Sequence, residues 1–179
     1  GAPGREEAAT ALEALRRRLE NHRAAAAPAS PGAPLLQAAS FRGRVWVTRP
    51  RPGIDRMACA WLIRRFIDPR AQFRFAEKLE EARAADKSTG RRPVTTVPFD
   101  MFGVEFGHQG NACSFENMAQ RFGIAGPAGE WLGQVVHNLD LKDQRYAVPE
   151  AAAIGRLVEG LRQMYPDDQE LIERGMTMF

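Results

Sequence analysis

Three histidines occur in the 179 residues, and two stand among side chains that could hold a metal. His108 lies in EFGHQGNACSFE, a stretch whose glycines let the backbone take positive φ and bring several side chains to one point. Cys113 and Glu116 follow within eight residues, and both are ligand types. His137 lies in VVHNLDLKD, with Asp140 at i+3 and Asp143 at i+6. On a helix, His137 and Asp140 share a face, the spacing used by helical carboxylate–histidine metal sites. The expectation is one divalent-metal site made by His108, Glu116, His137 and Asp140. Cys113 is a further candidate ligand, and Asp143 a group that could orient a histidine ring. The spacing is not a signature: His-x4-Cys-x2-Glu matches no zinc ribbon, and 54 positions separate Cys113 from Cys59. The plain alternatives are a loop histidine bonded to backbone and a surface histidine near a helix C-terminus. The mixed N/O set suits zinc, iron, manganese or nickel without ranking them.

The second group is basic. Arg42, Arg44, Arg49, Arg51 and Arg56 fall within fifteen residues, and RPRPGID leads straight into an apolar segment with helical character. Guanidinium groups beside the free N–H groups of a helix start form a ready oxyanion site. Arg49 and Arg56 are the leading contacts, with Arg51 the more exposed. Asp55, in the same turn, could cap the helix or hold an arginine. A solvated basic rim and direct DNA contact are the competing readings, although this helix is too apolar to lie in a groove. No nucleophile elbow, phosphate-binding loop or dinucleotide fingerprint is present.

The elements that must position these residues begin near Phe41. Strands are expected near 44–48, 72–76, 94–99 and 104–106, the last two as a hairpin about Met101–Gly103. A helix over 54–67, stopped by Pro69, is apolar around most of its girth and should be the central buried element, with Trp61 in the core. Residues 78–92 read as an exposed helix running into a loop. Helices follow over 114–122, 128–139 with Trp131 on its core stripe, and a stretch opened by Pro149 with Ile154, Leu157, Val158 and Leu161 inward. Asp167 and Glu170 form a capping-box pattern for the last. Strands come early and helices late, which argues for α+β: a small mixed sheet covered by helices, rather than regular βαβ winding.

Residues 5–20 read as an amphipathic helix that runs into AAAAPASPGAP, so 1–40 is a connecting helix and linker and 41–179 the domain. The chain is 44% hydrophobic and 26% charged, as in a globular protein, and no apolar run nears the roughly 20 residues needed to cross a bilayer. No membrane partner and a cytoplasmic location are therefore expected. The net charge of +3 is uneven: residues 41–92 carry +8 and residues 93–179 carry −6. That polarity allows an anion site in the first part and a cation site in the second.

GRVWVTRPRPGIDRMACAWLIRRFIDPRAQFRF, FDMFGVEFGHQGNACSFENM and VVHNLDLKD, in that order, resemble the C-terminal domain of the chromate-resistance protein family ChrB. GAPGREEA resembles the tail of that family's N-terminal region, so the chain is expected to be part of a longer protein. The family's blocks fall on Arg49, Asp55, Arg56, Trp61, His108, Cys113, Glu116, His137, Asp140 and Asp143. Ala60 and Asn138 depart from its pattern, the latter removing an acid beside His137. The resemblance implies a chromate-responsive regulator or sensor in a bacterial resistance system, binding a divalent metal and an oxyanion such as chromate. DNA contact through an N-terminal region and a homodimer are further expectations. The competing class is a metal-dependent enzyme that protects against oxidative chromium damage.

Overall fold

Alternating β-branched and aromatic residues make Val45–Thr48 a strand, β1, that is buried on both faces. In the computed structural model, which describes residues 34–81 and 95–179, β1 is the middle of three strands. It pairs on one side with β2 (Gln72–Phe75) and on the other with β3 (Thr96–Pro98), both parallel to it. Trp46 enters the main core, while Val45 and Val47 pack on Met101 and Val104 on the opposite face.

Parallel neighbours need a crossover. Helix α1 (Ile54–Leu62) supplies it between β1 and β2, so the domain does contain one βαβ unit. The sheet is accordingly parallel where a mixed sheet was expected. The stretch 104–106 forms no strand either. Asp100 and Gly103 both take positive φ, which turns the chain into a loop whose two sides meet just beyond β3 at the isolated Phe99–Phe106 bridge. The fold class remains α+β, a small sheet covered by helices.

α1 is the central element, with Met57, Ala58, Cys59, Ala60 and Leu62 fully buried. It continues as a π-helical turn over Ile63–Ile67 and stops at Asp68, where Pro69 disfavours further helix. Trp61 does not enter the core as expected. It is half-buried at the rim, edge-on to Phe66 and near Phe179, and Trp46 is the fully buried tryptophan.

Helices α2 (Ser114–Arg121), α3 (Pro127–Leu141), α4 (Ala151–Met164) and α5 (Asp168–Met176) follow, and α2, α3 and α5 pack directly on α1. Asp167 caps α5 by accepting the Glu170 N–H at 2.8 Å, as the capping pattern implies. Trp131 on α3 and Leu157 on α4, both expected inward, are exposed at 45% and 62%. No helix among the described residues is long and apolar enough to cross a membrane. The helix expected over 5–20 and most of the one over 78–92 lie outside the described residues.

Candidate functional site

The parallel pairing of β1 and β3 carries Arg49 and Asp100 out of the same end of the sheet. Val47 stands opposite Pro98, and the Phe99 N–H bonds the Val47 carbonyl at 2.9 Å. The next residues, Arg49 and Asp100, therefore leave the strands' C-terminal ends side by side, where parallel sheets commonly build their sites. Arg49 donates from Nε to the Asp100 carbonyl at 3.2 Å and from Nη2 to Asp100 Oδ2 at 3.3 Å. Arg56, in the first turn of α1, donates from Nε to the same Oδ2 at 3.0 Å. Its Nη1 binds the carbonyls of Arg49, Pro50 and Arg51, which fixes the turn between β1 and α1.

The other oxygen of Asp100 faces α2. Ser114 donates its hydroxyl to Oδ1 at 2.8 Å, and His108 Nε2 lies 3.4 Å from it. His108 Nε2 also stands 3.3 Å from Asp55 Oδ2 and 3.0 Å from Asp140 Oδ2. One imidazole thus meets three carboxylates, from α1, from the loop after β3 and from α3. Burial alone would lower the His108 pKa, but bonds to Asp100, Asp140 and Asp55 push it up to about 12. His108 is therefore an imidazolium at neutral pH. Burial likewise opposes ionisation of Asp100, yet His108, Ser114 and Arg56 together hold its pKa below the usual carboxylate range.

Asp55 caps a helix, but not its own. Its carboxylate accepts the N–H groups of Ser114 and Phe115, at 2.9 and 2.8 Å, at the start of α2. It is 1% exposed, and burial raises its pKa. α2 is closed further by Cys113 and Glu116, since Glu116 Oε2 accepts the Cys113 N–H at 3.0 Å.

That same Oε2 lies 2.7 Å from His137 Nδ1, and Asp143 Oδ2 lies 3.1 Å from His137 Nε2. His137 is fully buried and edge-on to Tyr146. Burial would lower its pKa, and the carboxylates on both ring nitrogens raise it instead. A cavity of about 500 Å³ opens beside Glu116 and Tyr146, with Asn111, Gln120 and Arg145 also on its wall.

The four expected metal ligands are thus divided between two centres. His108 and Asp140 meet in one, together with Asp55, while Glu116 and His137 meet in the other, with Asp143. His137 and Asp140 share α3 but serve different partners. Among the described residues, the group able to hold an ion is Asp55, His108 and Asp140, whose ligand atoms lie within 4.8 Å of one another. Cys113 is fully buried at the head of α2, and burial pushes its thiol up, as it does that of Cys59. Arg49 and Arg56 come together as expected. Arg51 points elsewhere: its guanidinium binds the carbonyls of Tyr165 and Pro166 at 2.9 Å, and that of Arg162, at the end of α4. Asp100 carried no signal in the sequence, because only the strand pairing places it beside Arg49.

All of these residues fall within one matched region. The family model described as ChrB, C-terminal domain, covers residues 46–179. The chain belongs to the ChrB family. The protein ChrB of Cupriavidus metallidurans, strain CH34, is 37% identical over 134 residues, which are 74% of this chain. The matched stretch is 38% of that relative's length, so this ChrB domain corresponds to well under half of it. No solved structure gives a significant match.

Proposed function

We propose that this domain is the ligand-responsive part of a regulator in a bacterial chromate-resistance system, and that it responds to an oxyanion at the centre between Arg49, Arg56 and His108. Membership of the ChrB family supports the resistance role. The observation that carries the oxyanion is the convergence of two guanidinium groups, an imidazolium and the Ser114 hydroxyl on one carboxylate. Donors of this kind, arriving from four directions, match a tetrahedral dianion such as chromate. Calorimetric titration of chromate tests it. Arg49→Ala should weaken binding at least about tenfold, since each charge-assisted hydrogen bond contributes roughly 1.5–3 kcal/mol. Unchanged affinity would place the anion elsewhere. Arg49 is the cleaner probe because Arg56→Ala would also free three carbonyls of the turn.

A divalent transition metal at Asp55, His108 and Asp140 is the second reading, favoured by the closeness of their ligand atoms. One imidazole and two carboxylates suit zinc, iron, manganese or nickel. Both readings require Nε2 of His108, so they compete. Elemental analysis of untagged protein separates them: on the metal reading, His108→Ala is empty and His137→Ala keeps full metal. Loss in His137→Ala alone would move the site to the Glu116 centre.

A further inference from the structure

We propose that Asp100 is a built-in occupant of the oxyanion site, and that a tetrahedral dianion acts by taking the place of its carboxylate and freeing the tip of the loop after β3. The inference deepens the oxyanion reading above and rests on it.

Four of the groups assigned to the anion already meet one carboxylate of the chain itself. Oδ2 of Asp100 takes Arg49 and Arg56, and Oδ1 takes Ser114 and faces His108. A carboxylate held by four donors from the turn after β1, α1, the His108 loop and α2 is an intramolecular anion in an anion's place. An outside dianion that takes these same four donors must displace it.

The backbone of Asp100 favours such a displacement. Its φ is +44°, the left-handed region that non-glycine residues enter at a cost of about 1–3 kcal/mol unless their surroundings hold them there. Its carboxylate bonds to Arg49, Arg56 and Ser114 help to hold it there, beside the backbone bonds of its N–H to Phe106 and its carbonyl to Arg49. The exchange puts two negative charges where Asp100 had one, among three cationic side chains. Arg49, Arg56 and His108 face Asp140 and the two charges of the dianion, while Asp55 stays on the helix N-terminus that it caps.

The consequence reaches the surface through Arg49. Its guanidinium lies over the ring of Phe102, 5.0 Å from the centroid, and Phe102 is 69% exposed at the loop tip beside Gly103. The flanks are fixed, since Phe99 and Phe106 are buried and the Asp100 N–H bonds the Phe106 carbonyl at 2.9 Å. Movement is therefore confined to the Asp100 side chain and the tip, so an anion exchanged inside is read as a repositioned aromatic outside.

Asp100→Asn keeps the shape of the occupant and removes its charge. An occupant that fills the site lowers apparent affinity by the fraction of time the site is free, so the variant should bind chromate at least about tenfold more tightly than the parent. Tighter binding by Asp100→Asn, abolished by adding Arg49→Ala, supports the inference. Parent binding that depends on Arg49 but is not improved by Asp100→Asn overturns it and leaves the oxyanion reading standing. Absence of chromate binding in both proteins overturns both. A second measurement does not require Asp100→Asn to fold. Cys59 and Cys113 are fully buried, so a spin label on Phe102→Cys goes to the loop tip alone. Its mobility should change as chromate saturates, and an unchanged spectrum at saturation overturns the release of the tip.

Discussion

Replacing Asp55 with Asn asks how much one buried carboxylate contributes by joining α1, α2 and the His108 loop. Both of its oxygens are in use: Oδ1 accepts the Phe115 N–H and the Cys59 thiol, and Oδ2 accepts the Ser114 N–H and faces His108. Asn presents one oxygen and turns its NH2 towards a backbone N–H. One helix-start donor then loses its acceptor in a buried place, which costs about 1–3 kcal/mol. Part of that is offset, because the neutral amide escapes the desolvation that raises the pKa of Asp55. The net loss should be about 2 kcal/mol, or roughly 4–8 °C in Tm for a domain of this size. Asp55→Ala, which removes both acceptors and leaves His108 with one carboxylate fewer, should cost about 3–5 kcal/mol. Urea unfolding followed by far-ultraviolet circular dichroism measures both, with Glu77→Gln as the exposed control. Losses below about 0.5 kcal/mol in both Asp55 variants would refute the idea that this residue ties the two helix starts together.

His108 should not titrate near neutrality: its folded pKa of about 12 lies above the ordinary 6.5, so the stability it contributes is complete below pH 6.5 and fades as pH rises towards 12. Histidine resonances followed by NMR check this, and a His108 midpoint near 6.5 would break the three-carboxylate picture. Trp46→Ala should cost about 3–5 kcal/mol and the rim residue Trp61→Ala only about 1–2, in the same denaturant titration. Gly107→Ala should lose about 1–3 kcal/mol and weaken chromate binding, because its Cβ would stand 2.6 Å from the Met101 carbonyl oxygen and push the His108 loop aside. Gly129→Ala, which meets nothing within 4 Å in α3, should instead gain about 0.5–1 kcal/mol.

The helices were legible because capping and apolar periodicity are local. Asp167 with Glu170, which open α5, are written in a few neighbouring residues. The strand at 45–48 was legible for the same reason. The direction of the strands was not, since parallel pairing depends on where α1 returns the chain and not on the strand residues themselves. The site followed the same division. His108, Asp140, Arg49 and Arg56 stood out by type, and Glu116 and His137 are indeed partners. Their sorting into two centres was hidden, because α3 places His137 and Asp140 against different neighbours although both lie on one helix. In the sequence Asp55 is a candidate either to cap its own helix or to hold an arginine; it is a cap, but for a helix 59 residues further on. Asp100 had no local mark at all.

Arg51 has a consequence for how the domain comes apart. Its N–H bonds Asp168 at the start of α5, and its guanidinium covers the open carbonyls where α4 ends, 111 to 117 residues along the chain. A single side chain in the turn after β1 thus clasps the joint between the last two helices. Those helices cannot peel away without stripping that turn of its partners, so helices and sheet should open as one cooperative unit. Amides of α4 and α5 should then exchange with solvent at nearly the same free energy as those of β1. With Arg51→Ala the unit should split, and the C-terminal pair should exchange first.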